Sequence, residues 1–267
     1  MTMIWGIIKK EFIHLSRDMR TIFLSTFSPI VFLCLMNYFA IDILKKAAVF
    51  ENGIYISGII LCMILTMMMF LSILTGALET GVGEKERGTL CSTLRTGVGF
   101  PILFWGKYLT LVIQGLVSLI VLDISMFGLS LIPNSFFMVI FKDEQFVHRA
   151  VMINIILIVC ILCFSALELM LSFFVSNFKE GQVISIPLMF LVLVPFYIVM
   201  NSQDSFVSGV IYFIPFINTP SILSDVILGR ASIFNLIKYV GINGIIIFIA
   251  IKVIFAIMNK ESSLFRR

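Results

Sequence analysis

Residues 79–101 read ETGVGEKERGTLCSTLRTGVGFP. The stretch carries Glu79, Glu84, Lys85, Glu86, Arg87 and Arg95, with Lys107 just beyond, and long apolar runs flank it on both sides. A span needs roughly 20 apolar residues to cross the hydrocarbon, so a charged island between two such runs reads as the connector between two spans. The rest of the composition agrees. The chain is 60% hydrophobic and 13% charged, with a mean hydropathy of +1.11. A soluble domain is about 45–50% apolar and about 25% charged, so there is too little charge here to cover a water-facing surface. The 267 residues therefore predict an all-α, multi-pass membrane protein without a large soluble domain. The net charge of +4 is spread along the chain and gives no support to a nucleic-acid role.

Outward from the island, apolar runs predict six transmembrane helices, at about 21–41, 54–78, 108–132, 150–175, 183–200 and 236–258. Pro29 predicts a kink in the first. The segment 201–235 is half apolar but broken by Gly209, Pro215, Pro220 and Gly229, which predicts an outer re-entrant helical pair covered by protein. With the N-terminus in the cytoplasm, Lys9, Lys10, Arg17, Arg20, Lys85, Arg87, Arg95, Lys107, Lys179, Lys260, Arg266 and Arg267 face inward. Only Lys45, Lys46, Lys142, Arg149 and Arg230 then face outward, so the positive-inside rule puts both termini and the island in the cytoplasm. The expected location is the cell membrane.

Residues 3–20 form a basic amphipathic pattern. Trp5, Phe12 and other apolar residues share one side at about 100° per residue, while Lys9, Lys10, His14, Arg17 and Arg20 share the other. Glu11 falls at the margin and Ile13 out of place. Such a helix lies in the membrane interface, and no small-residue cleavage site follows it, so a signal peptide is not expected. Residues 84–96 read as one short cytoplasmic helix, with Leu90, Cys91 and Leu94 opposite Lys85, Thr89, Ser92 and Arg95. Its mixed charges suit a charged partner groove better than lipid headgroups. Gly83 to Thr89 imitates the spacing of a phosphate-binding loop, but the lysine after the second glycine is missing, and Glu84 and Glu86 would repel phosphates. Any ATP must be bound by another chain.

The segment Glu84-Lys85-Glu86-Arg87-Gly88-Thr89-Leu90, followed by Leu94, Thr96 and Gly106-Lys107, resembles the hallmark of ABC type-2 exporter permeases. Lys10-Glu11-Phe12 with Arg17-Asp18 resembles the N-terminal interfacial helix of that family. Residues 172–182 with Pro187 and Pro195, and Pro215, Asn218, Asp225 and Gly229 with residues 259–265, resemble its sodium-efflux (NatB-like) branch. The link at 42–53 is short where that branch carries a large external domain, so its substrate is not implied. The resemblance implies a permease subunit that pairs with a second permease, identical or related, and with two copies of a cytosolic ABC ATPase. ATP and magnesium would be held by the ATPase, with no cofactor on this chain. Glu84, Lys85, Glu86, Arg87, Gly88, Thr89, Leu90 and Leu94 would form the coupling helix that seats in the ATPase.

Asp123, Glu168 and Lys252 lie inside apolar runs, where an unpaired charge costs about 2.5–3.5 kcal/mol on insertion scales. Asp123 reads as the deepest, a candidate for a transport pathway or an inter-helix pair. Glu168 and Lys252 lie nearer the cytoplasmic ends, within snorkelling reach. An ion-coupled carrier or channel built on Asp123 is the alternative function. Cys160-x-x-Cys163 sits among apolar neighbours and reads as small core residues; His14 and His148 stand without a ligand set, so no metal is expected. No nucleophile–base set or carboxylate pair predicts an enzyme.

Overall fold

The continuous apolar runs become long helices that are apolar all round, as they must be when both protein and hydrocarbon surround them. The computed structural model describes residues 2–17, 53–133, 146–201 and 213–264, with 23, 27, 29–35, 37–38 and 137. The helices are α1 (Thr2–Arg17), α2 (Gly53–Thr80), α3 (Val82–Glu86), α4 (Thr89–Arg95), α5 (Phe100–Ser130), α6 (Phe146–Phe174), α7 (Phe178–Asn201), α8 (Asn218–Ile227) and α9 (Ile233–Leu264). No strand occurs among the described residues. Five helices, α2, α5, α6, α7 and α9, are long and apolar enough to cross a membrane. About half of the span expected at 21–41 lies outside the described residues.

The middle of the bundle is α2, which packs on α5, α6, α7 and α8. Its apolar window is 72% buried, against 22% for that of α9 at the edge. Contacts rise together along α2 and α6, from Phe70 with Phe164 to Ala77 with Ser172, so these two run parallel. Along α5 they fall: Lys107 reaches Thr80, and Gln114 reaches back to Ser72, so α5 runs the opposite way. Small residues permit the close approaches. A Cβ on Gly115 would lie 2.7 Å from Ile161, and one on Gly106 would lie 2.5 Å from Ile7 of α1.

The helix that holds the span expected at 108–132 begins at Phe100, so that Lys107 lies within it. Gly99 provides an extended N-cap and Pro101 stands in the first turn, where its missing N–H costs nothing. The turn between α6 and α7 is likewise shorter than the polar run 176–182. The Asn177 side chain accepts the Glu180 N–H, and the Glu180 carboxylate accepts the Ser176 N–H, which starts α7 at Phe178.

The connector after α7 holds one helix, α8, among its described residues; the other half of the expected pair falls at 202–212, outside them. The ten residues of α8 span about 15 Å, too short to cross a bilayer. The start of α8 lies inside the bundle, where the Thr219 hydroxyl neighbours Cys160 midway along α6. Its end lies beside Gly58, near the start of α2. Phe216, just before it, holds a positive φ of 68°, a conformation a bulky side chain adopts only under constraint.

Candidate functional site

Two short helices replace the single helix expected over residues 84–96. Gly88 adopts φ 69°, and the left-handed turn it makes with Arg87 separates α3 from α4. A glycine takes this conformation without the steric cost of a Cβ. The helical reading ran through this glycine, which was the signal for the break. The two helices have different surroundings. Val82, Gly83 and Glu84 of α3 are buried, whereas Thr89, Ser92 and Arg95 of α4 are exposed, with Leu90 buried beneath them.

The charges of Glu84 to Arg87 are engaged within the chain, not held out for a partner. The Glu84 carboxylate accepts Lys107 Nζ at 2.7 Å and Lys10 Nζ at 3.0 Å, joining α3 to α5 and α1. Lys85 Nζ donates to the Phe173 carbonyl at 2.6 Å, at the C-terminal end of α6. Glu86 accepts the Phe178 N–H at 2.8 Å, at the first residue of α7. A helix C-terminus is electron-rich and an N-terminus electron-poor, so the adjacent Lys-Glu pair complements the two ends of the α6–α7 turn in order. Arg87 closes the set with a 2.7 Å ion pair to Glu79 of α2. One turn of helix is thereby tied to α1, α2, α5, α6 and α7.

Beneath it lies a node of four charges, of which Glu11, Glu84 and Lys107 are buried and Lys10 is half exposed. Lys107 is fully buried and donates to Glu11 Oε1 at 3.1 Å, to Glu84 Oε2 and to the Thr80 carbonyl at 2.6 Å. Lys10 completes the node, 3.7 Å from Glu11. Two ammonium and two carboxylate groups balance, which is the condition under which buried charge is tolerated. Burial opposes the charge on Lys10, but the carboxylates of Glu84 and Glu11 outweigh it and hold this ammonium above its usual pKa. The node corrects two expectations. Lys107 is not a connector charge but part of α5, and Glu11 is not marginal but the buried centre of the α1 face.

Ser172 makes a second joint. Its hydroxyl donates to the Ala77 carbonyl at 2.7 Å and accepts the Val82 N–H at 2.9 Å, so a side chain of α6 caps the start of α3.

The intramembrane acids change places. Asp123 is only half-buried and lies near the Asn154 side chain of α6. Glu168 does not snorkel: it is fully buried, and neither carboxylate oxygen has a hydrogen-bond partner among the described residues. Lys252 is exposed on the outer flank of α9, its ammonium 5.4 Å from the Phe248 ring. Cys160 is buried with its sulfur 2.9 Å from the Tyr239 hydroxyl.

In comparisons with known proteins, no family model and no curated protein matches the chain.

Proposed function

We propose that this chain is the permease subunit of an ATP-driven ABC exporter. It has six spans, with both termini and the α3–α4 end in the cytoplasm, and it acts with a second permease, identical or related, and two cytosolic ATPase subunits. The observation that carries this reading is the division of labour between α3 and α4. A push on the exposed α4 is delivered through the Gly88 turn to α3, whose charges are tied to five other helices. A rigid, multiply bonded turn transmits displacement, where a solvated loop would absorb it. Of the residues named by the resemblance, Glu84 to Arg87 then act as the transmission. Gly88, Thr89 and Leu94, with Ser92 and Arg95, form the contact segment, which the buried Leu90 anchors from beneath. In this reading α8 is the re-entrant element near the outer face, and α1 lies in the inner interface with Trp5, Lys9, Lys10, Phe12 and Arg17.

The test is co-purification in mild detergent from the native host. The wild-type chain is expected to bring a soluble ATPase at about one copy per permease, and the double variant Ser92→Glu/Arg95→Glu is expected to lose it. Both side chains are exposed, so the variant should melt within about 0.5 kcal/mol of wild type. A wild-type chain that purifies without any ATPase, where other complexes survive, sinks the exporter reading.

The rival ion-coupled carrier draws on a separate observation, the carboxyl group of Glu168, which has no hydrogen-bond partner among the described residues, rather than on Asp123. Intramembrane acids of this kind line ion pathways in carriers. Proteoliposomes holding this chain alone are expected to show no gradient-driven flux of protons or alkali cations. A flux abolished by Glu168→Gln would replace the exporter with the carrier.

A further inference from the structure

At about 100° per residue α1 has three faces, not two. Ile7, Ile8, Glu11 and Leu15 face the protein; Trp5, Lys9 and Phe12 form an exposed face with a large aromatic at either end. Lys10, His14 and Arg17 make the third, with Ile13 at its edge. This third face is exposed and borders an open groove. It walls a cavity of about 460 Å³ whose other side is Glu79 and Arg87, at the end of α2 and the turn after α3.

Lys10, Arg17 and Arg87 line it with one carboxylate, Glu79; Lys10 is balanced within the node and Arg87 by Glu79, so the surplus positive charge is that of Arg17, with His14 beside it. The carboxylates that bind Lys10 belong to the node, while its side chain remains 52% exposed. Neither His14 nor Arg17 forms an ion pair among the described residues. The two arginines bring planar forks that match the oxygens of a phosphate. The neighbouring face points to the depth: exposed Trp5 is the amphipathic aromatic that settles at the level of lipid headgroups, and exposed Phe12 adds an apolar contact beside it. Ile13 is exposed and gives the cavity an apolar rim.

We infer that this cavity binds the phosphate of an anionic phospholipid headgroup, with its acyl chains leaving past Ile13. Bound there, the lipid bridges α1 to the α2–α3 corner and reinforces the same joint as the node. The inference rests on the interfacial placement of α1 proposed above and is independent of any ATPase partner.

The full chain would be placed in bilayer discs of phosphatidylcholine containing a minor fraction of phosphatidylglycerol, and the lipid retained after detergent extraction counted by native mass spectrometry. Wild type is expected to retain phosphatidylglycerol selectively. The variant Arg17→Gln/His14→Gln should lower its retention about tenfold, the loss of one charge-assisted contact. Arg17→Lys should keep part of it, and Lys9→Gln, on the adjacent face, should leave it unchanged. Three outcomes overturn the inference: unchanged retention in the double variant, an equal loss in Lys9→Gln, or full displacement by millimolar inorganic phosphate or glycerol phosphate. The last would mark a site for a free anion.

Discussion

Lys107→Met is expected to destabilise the protein by about 3–5 kcal/mol, the usual cost of removing one partner from a buried ion set. Methionine matches the stem of lysine in size, so packing is little disturbed and the loss is electrostatic. Glu11 and Glu84 would remain in a site with Lys10 as their one cation, and the Thr80 carbonyl would lose its donor. The test lies in the double variant. Lys107→Met/Glu11→Leu restores the balance, leaving the Lys10–Glu84 pair, and should recover most of the loss but not the part due to Thr80. The coupling energy expected is about 1–3 kcal/mol in the favourable direction. Thermal melting of the purified protein in detergent would read all three variants. Strictly additive losses would show that Lys107 and Glu11 do not act as one unit.

A second large effect is expected from one methyl group. Gly81→Ala would put a Cβ 2.7 Å from that of Ser172, closer still to its hydroxyl, and 3.0 Å from the Ala77 carbonyl. The hydroxyl cannot simply rotate away, because it donates to Ala77 and accepts from Val82. Overpacking costs about 1–3 kcal/mol, and each of the two hydrogen bonds adds about 1 kcal/mol. The variant should therefore melt far below wild type. Gly81→Ala/Ser172→Gly relieves the crowding without remaking the bonds, so only the packing part should return. Gly128→Ala and Gly241→Ala supply the contrast. Nothing lies within 4 Å of either new Cβ, and both sit inside helices, where alanine is favoured over glycine by about 1 kcal/mol. Equal losses at Gly81 and Gly128 would mean that close approach to Ser172 is not what selects glycine.

Both predictions concern contacts that no local pattern announces. Lys107 pairs with a residue 96 positions earlier in the chain, and Val82 with one 90 positions later. Hydropathy treats Lys107 as the edge of a span, because an isolated ammonium in hydrocarbon is costly. The structure places it inside α5, because Glu11 and Glu84 arrive from two other helices to neutralise it. The same logic inverts the two intramembrane acids. Position along the chain measures distance from a span's end, whereas partnership and burial depend on which neighbour faces the side chain. Asp123 lies near Asn154 on α6; Glu168 finds no hydrogen-bond partner among the described residues.

Some of what was missed was written locally. Gly88 is a helix-breaking residue in the middle of the island, and its left-handed conformation separates α3 from α4. Pro101 marked the true start of α5. Each was outweighed by a stronger apparent signal, the amphipathic spacing in one case and the charge of Lys107 in the other.

By itself the sequence determined the class of the molecule, its five described apolar helices to within a few residues at most ends, and the singular character of the 79–101 island. It could do so because a helix that is to be surrounded by hydrocarbon or by other helices must be apolar at every position, a constraint written residue by residue. Only the tertiary structure decided what the island's charges do. Ion pairs, helix-end contacts and close glycine approaches depend on which distant segments meet. Glu84, Lys85, Glu86 and Arg87 look the same in sequence whether they reach for a partner or, as here, fasten one turn of helix to five others.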